Sequence, residues 1–336
     1  TPTRAYLVLL HVPTDHHHHH HHHPLPPLTL PVCPPAARVC APRCFARGSL
    51  PLSPATAAPQ TGGPAVCVCV RVSHRYVDRR ARVCATYHKA GVVQMIVTGA
   101  SAKGSVAALE IARNWPGRLF STAGVHPHRA SAYDDDTDIL LRELATKDEV
   151  VAVGETGLDY FRDFSPRDEQ RSAFERQMRI AIDTGMPLFL HQRDAHDDFF
   201  ALLGQHRDQL NEVVVHCFTG NRAELHEYLD LDCHIGITGW ICDERRGTHM
   251  KEFMRDIPSN RLMIETDSPY LKPRNLRPKI KSNRNEPRLL PWILGTLAAC
   301  RNEHPRDLAE ATTRNARAFF RLDQSSASNP DYTEGT

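Results

Sequence analysis

Four apolar runs in this chain end on a side chain that can hold a metal ion. VVAV leads into Gly154-Glu155, MPLFL into His191, VVV into His216, and RLMI into Glu265-Thr266-Asp267. A strand packed on both faces should stay hydrophobic along its length, so repeated polar termini point to ligands gathered at one mouth of a parallel barrel. His191 and His216 follow separate strands, and helical spacing explains neither. Two imidazoles with the carboxylates of Glu155 and Asp267 suit a borderline or hard divalent ion: Zn2+, Mn2+, or Mg2+ with retained waters. Glu155 can bridge two ions through its two oxygens, and Asp267 can ligate one ion and take a proton from its water. A bound ion lowers the pKa of water from about 16 toward roughly 7, which supplies the nucleophile of a hydrolase.

Those four termini need a scaffold that brings strand ends together, and the pattern from about residue 65 onward provides one. Short apolar runs at 65–70, 93–97, 119–124, 150–154, 187–190, 213–216, 234–238 and 261–265 read as strands. Amphipathic stretches near 78–90, 104–114, 136–146, 168–184, 195–204, 221–230, 248–256, 287–300 and 305–320 read as helices. Ser165-Pro166 ahead of Asp168 and Glu169 makes a helix entrance, because proline suits the first turn and acids favour its dipole. Phe174, Met178 and Ile182 then supply an inward stripe. The alternation and its count predict an α/β fold, a (β/α)8 TIM-type barrel. A doubly wound open sheet is the rival, but no GxGxxG follows an early strand.

The 336 residues carry a formal charge of +2 and a pI near 8.1, values that neither require nor exclude a nucleic-acid partner. Residues 1–62 are crowded with Pro, Ala and Cys and include eight consecutive histidines, His16 to His23. No sustained period runs through them, so they are expected to form a low-complexity, disordered or poorly packed extension. The barrel domain is placed at 65–320 and a polar, frayed tail at 321–336. YLVLL near the start is far too short to span a bilayer, and no membrane association is expected. The low acid content and scattered arginines of the extension are compatible with a transit segment. No paired CxxC spacing marks a zinc ribbon among the ten cysteines, and free thiols in an intracellular protein are expected.

The sequence resembles the TatD family of metal-dependent deoxyribonucleases, within the amidohydrolase-like barrels. The matching segments are GVHPH at 124–128, GETGLDY at 154–160, FLHQRDA at 189–195, VHCFTG at 215–220, GITGW at 236–240, ETDSPYL at 265–271 and RNEP at 284–287. Together they span about 91–320. The resemblance implies that Glu155, His191, His216 and Asp267 bind one or two divalent ions, Mg2+ before Mn2+ or Zn2+. It places His126 and His128 near the substrate phosphate, with Glu155, Asp267 and His126 catalytic. Arg193 and Asp194 fall near the site in the same motifs, Arg193 to neutralise phosphate or brace a carboxylate and Asp194 to orient the neighbouring His191. Arg284 stands in the RNEP motif.

One departure from the family lies upstream. Members usually open on a first strand ending in a His-x-His pair or an Asn-Leu-Thr segment, whereas AVCVCV at 65–70 runs into Val70-Arg71-Val72 with no polar ligand. His74 could stand in from the loop that follows.

The segment from 274 to 288, with Arg274, Arg277, Lys279, Lys281 and Arg284, follows Asp267 and can track a phosphate backbone. Tyr270 and Trp240 offer base-stacking faces. The expected activity is metal-assisted hydrolysis of DNA phosphodiesters, and the resemblance implies 3′ to 5′ exonuclease action on single-stranded or frayed 3′ ends. RNA is a further candidate substrate, DNA repair or fragmentation the setting, and no obligate protein partner is expected. The address is cytoplasmic, with the nucleus or mitochondrion as alternatives. Two other readings compete: an amidohydrolase acting on a small amide, lactone or nucleobase, and a catalytically weak nucleic-acid-binding protein. Glu155 stands where related barrels often use a carbamylated lysine, which moves the balance toward phosphoesters.

Overall fold

The protein is described here by a computed structural model covering residues 7–11, 67–70 and 90–322, the first two stretches as backbone strands only. Nine parallel strands form one sheet: β1 (Leu7–His11), β2 (Cys67–Val70), β3 (Gln94–Thr98), β4 (Leu119–Ala123), β5 (Val150–Asp159), β6 (Leu188–Arg193), β7 (Val213–His216), β8 (His234–Ile237) and β9 (Leu262–Ser268). From β3 to β9 each strand lies beside the next in chain order, and this seven-strand sheet curls as part of a barrel. β2 pairs with β9 through Cys67–Ile264 and Val68–Glu265, and with β3 through Val70–Val97, which joins the two edges. The eight strands expected from the sequence are present in this α/β barrel.

A ninth strand was not expected. β1 runs along the whole of β3, from Leu7 beside Gln94 to His11 beside Thr98. Its five residues are too few to declare a period, and only the long-range pairing reveals them as a strand. The rest of the expected 1–62 extension, the 78–90 helix, His74 and the tail after 322 lie outside the described residues.

Helices α1 (Ala102–Arg113), α2 (Asp135–Leu144), α3 (Arg167–Thr184), α4 (His196–His206), α5 (Arg222–Asp230), α6 (Leu290–Arg301) and α7 (Pro305–Phe319) fall where the amphipathic stretches placed them. The exception is 248–256, where two short 3-10 turns, His249–Glu252 and Met254–Asp256, replace the expected helix. The spacing of buried Met250, Met254 and Ile257 is met by two short turns as readily as by one helix.

Strand period sorts the core into two layers. Met95, Val97, Leu188, Leu190, Val213, Val215, Leu262 and Ile264 pack with the helices. The alternate residues Ile96, Phe120, Phe189, Val214 and Met263 pack with Phe319 and Phe320 from the end of α7, which fill the barrel interior from the end opposite the strand termini. Two residues further along the same faces come His191, His216 and Glu265. The period that buries Phe189, Val214 and Met263 therefore also aims these polar groups inward, one layer higher.

Candidate active site

Glu155 is the centre of the cluster. Its Oε1 lies 3.1 Å from His191 Nδ1, 3.3 Å from His216 Nε2 and 3.4 Å from His126 Nε2. The carboxylate is only 3 % exposed, and a buried charge persists there only when matched by donors or a cation. β5 reaches this position through a register shift against β6 between Val153 and Thr156. Gly154 enters it at φ +142°, where a Cβ would lie 2.2 Å from the Phe189 carbonyl oxygen, so no side chain fits.

Each imidazole is set by a second partner. His216 Nδ1 donates to Glu265 Oε2 at 2.7 Å, and Glu265 Oε1 accepts the Cys217 N–H at 3.0 Å. A Cβ on Gly236 would lie 1.6 Å from that Oε1, so the glycine of GITGW makes room for the carboxylate. His191 Nε2 lies 3.1 Å from Asp159 Oδ2, which also takes His128 Nε2 at 2.9 Å. Burial by itself would lower the pKa of His191, but hydrogen bonds to Asp159 and Glu155 outweigh it and raise the value. For Asp159 the opposition runs the other way: burial pushes the carboxyl up, and the bonds from His128 and His191 hold it well below the usual range. His126 accepts the His128 backbone N–H on Nδ1 at 3.1 Å. A neutral ring bonded in that way carries its proton on Nε2, aimed at Glu155.

Helix α3 fastens two of the loops. Gln170 and Gln177, seven residues apart on one helical face, are both fully buried. Gln170 Oε1 accepts the Asp159 N–H at 2.9 Å, while Gln177 Oε1 accepts the Val125 N–H at 2.7 Å and its Nε2 donates to the Val125 carbonyl. The strand carrying Asp159 and the loop carrying His126 are thereby held against one helix.

Among the described residues, His126, Glu155 and His191 bring donor atoms within 4.8 Å of one another, a group able to hold a metal ion. His216 joins through its contact with Glu155. Asp267, at the end of β9 with φ 49°, stands outside that compact group, although it is close enough to add to the raised pKa of Cys217, a shift due first to burial.

A sequence profile described as TatD related DNase matches residues 70–321. The chain belongs to this family. The protein named 3′-5′ ssDNA/RNA exonuclease TatD from Pectobacterium carotovorum subsp. carotovorum is 46% identical over 250 residues, covering 74% of this chain and 96% of that one. Its namesake from Yersinia pseudotuberculosis is 48% identical over 234 residues, 70% of this chain and 90% of that protein. Among solved structures, the TatD homologue YjjV from Escherichia coli superposes with a TM-score of 0.67 at 25% identity, over 74% of this chain and 94% of its own. As a TatD relative the chain is a nuclease-type hydrolase of a metal-dependent family.

Within this TatD site the remaining sequence candidates fall into place unevenly. His128 packs edge-on against Phe164 at 4.8 Å and is bound to Asp159. Asp194 is exposed with φ 52°, and the orienting bond to His191 expected of it comes from Asp159 instead, because the next strand over presents its carboxylate to the ring. Arg193 stacks its guanidinium 3.8 Å from the Phe161 ring centroid and 5.8 Å from that of Trp240. Arg274 forms an ion pair with Glu244, so it contributes less free charge than the sequence suggested, whereas Lys279, Lys281 and Arg284 are exposed. Arg284 is presented beside Asn285, whose buried amide donates to the Thr266 carbonyl at 2.5 Å and ties this loop to the end of β9. Tyr270 is exposed just after Asp267.

Asp159, Glu265, Gln170 and Gln177 were not singled out from the sequence as site residues. Asp159 and Glu265 sit inside motifs that were read, but nothing in a linear motif says which acid bonds which ring. The glutamines left a fainter signal: two amides seven apart within an apolar helical stripe.

Proposed function

We propose that this chain is a divalent-metal-dependent 3′ to 5′ exonuclease acting on single-stranded DNA ends, with RNA as a second substrate. The observation that carries the reading is the single Glu155 oxygen ringed by three imidazole nitrogens at 3.1–3.4 Å. The names of the curated relatives, 3′-5′ ssDNA/RNA exonucleases, support the direction and the substrate.

The donor set fits a divalent ion: Glu155, His191 and His216 from adjoining strands, with Asp267 as the further carboxylate. Mg2+ is the first choice, with Mn2+ and Zn2+ favoured by the imidazole content. When bound, the ion supplies Lewis-acid charge and makes water nucleophilic near neutral pH. The chain's own residues do the rest. His126 offers its Nε2–H to a phosphate oxygen as negative charge builds there. His128, fixed by Asp159, stands beside the same region. Asp267 takes the proton of the attacking water, whose oxygen bonds to phosphorus as the P–O bond to the shortened strand breaks, and the 3′ oxygen left on that strand takes a proton from solvent. Arg193, Arg284 and Tyr270 hold the strand.

A pocket of about 490 Å³ lined by Trp240, Arg246, Lys272, Arg274 and Lys279 extends this surface along the basic loop. Removal of 3′-terminal nucleotides serves either repair or fragmentation. No helix among the described residues is long and apolar enough to cross a membrane. The curated relatives quoted are bacterial and lend nothing to a nuclear or mitochondrial address, so the cytoplasm is the setting proposed. The experiment is digestion of DNA labelled separately at each end, with Mg2+ or Mn2+ and with EDTA. Metal-dependent shortening from the 3′ end, weakening as salt rises, is expected. Properly metallated protein that cuts neither labelled DNA nor a small phosphodiester would sink the assignment.

A further inference from the structure

Four large hydrophobic side chains stand exposed in the described protein: Ile139, Phe161, Phe164 and Tyr270. Ile139 lies on α2, in none of the motif segments. The other three sit on loops that follow β5 and β9, the strands carrying Glu155 and Asp267. Tyr270 was anticipated as a stacking face; Phe161 and Phe164 were not, and they are exposed by 52 % and 59 %.

Their exposure does not come from a slack loop. Asp159, the residue that positions His128 and His191, also accepts the Arg162 N–H on Oδ1 at 2.8 Å. The Ser165 carbonyl accepts Gln170 Nε2 at 2.8 Å, and Ser165 Oγ accepts the Ser131 N–H at 3.2 Å. Tyr160, at the start of the loop, lies under Arg167 at 4.2 Å. The backbone is therefore anchored on both sides of each ring while about half of each ring's surface faces solvent, forgoing part of the stabilisation that burying it would contribute.

Each ring adjoins a group to which the proposed function gives a place at the substrate strand. Phe164 meets His128 edge-on with centroids 4.8 Å apart. Phe161 carries the Arg193 guanidinium at 3.8 Å, with Arg162 at 5.5 Å. Rings interleaved with cations match a single strand, whose bases present π-faces while its phosphates seek positive charge. A duplex end hides those faces in its stack.

We infer that Phe161 and Phe164 form a rigid stacking platform for the unpaired bases flanking the scissile phosphate, and so set the preference for single-stranded ends. This rests on the nuclease reading above. Base–aromatic stacking is worth about 1–3 kcal/mol per base, equivalent to roughly 5- to 150-fold in affinity.

The test compares an ordinary single strand with one made abasic at its last two 3′ nucleotides, measuring KM and kcat for the wild type, Phe161→Ala, Phe164→Ala and Phe164→Tyr at saturating metal. Stacking predicts that the abasic ends raise the wild-type KM by about 5- to 150-fold. Either alanine variant should then show a similar rise on the ordinary strand, little further loss on the abasic strand and a nearly unchanged kcat, with Phe164→Tyr restoring the KM. Equal losses on both strands, or a wild type indifferent to abasic ends, would overturn the platform while leaving the nuclease reading intact. Failure of the wild type to cut either strand would overturn both.

Discussion

Glu265 holds His216 through a 2.7 Å hydrogen bond to Nδ1 at a position where both side chains are almost fully buried. With Nδ1 donating, the Nε2 lone pair faces Glu155 Oε1 and is available to a cation. The carboxylate is itself fixed by the Cys217 N–H and given room by Gly236. The strand end thus presents a ring of defined tautomer rather than a free histidine.

Removing the charge from that support should weaken metal binding without removing a ligand. Glu265→Gln is expected to lower divalent-metal affinity by about 10- to 100-fold, read by calorimetric titration of Mn2+ into protein lacking residues 16–23. Gly236→Ala should act in the same direction by displacing the Glu265 carboxylate. Wild-type affinity in both variants would show that the bond is incidental.

The two nitrogens closest to Glu155 outside β7 should behave differently. His126 carries its proton toward the site, so His126→Ala should keep metal stoichiometry and lose turnover by about 10²–10³, the scale of one lost transition-state donor. His191→Ala should lose metal occupancy and turnover together. Metal analysis of the purified variants separates the cases, and depleted metal in His126→Ala would make His126 a ligand instead.

Asp267→Asn keeps the shape of the side chain and removes its charge. Turnover should fall much more than affinity for single-stranded DNA, because binding draws on Arg193, Arg284 and the aromatic faces while proton transfer needs the carboxylate. Normal turnover at saturating metal would exclude that role.

Away from the metal site, Asp243 offers a test in acid. The side chain is buried and bonded to Arg245 and Arg246, with Arg274 nearby. Burial pushes its pKa up, and these bonds outweigh it and hold the carboxyl below the usual carboxylate range. A depressed folded pKa stabilises the protein above the unfolded value of about 3.9, and that contribution is lost as the pH falls through the folded value. Asp243→Asn should cost about 1–3 kcal/mol at pH 7, with the gap to wild type closing below about pH 4. A series of denaturant titrations from pH 7 down to about pH 2 checks it, and a gap that stays constant across that range would rule the linkage out.

The sequence alone determined the strand–helix alternation, because burial of β6, β7 and β9 demands continuous apolar runs whose polar ends then stand out. It also gave up Glu155, His191 and His216 as neighbours, since parallel strands in a barrel must bring equivalent termini together. Only tertiary structure decided which acid serves which ring. Asp194 shares a motif with His191 while Asp159 stands in another, 32 residues away, and the pairing of β5 with β6 brings Asp159 to the ring. Tertiary structure alone also revealed β1, whose five residues become a strand through pairing with β3, and the phenylalanine rings on the loop after β5. Period and spacing record which face of an element is buried; they do not record which distant side chain meets it, because that contact is made across the barrel and not along the chain.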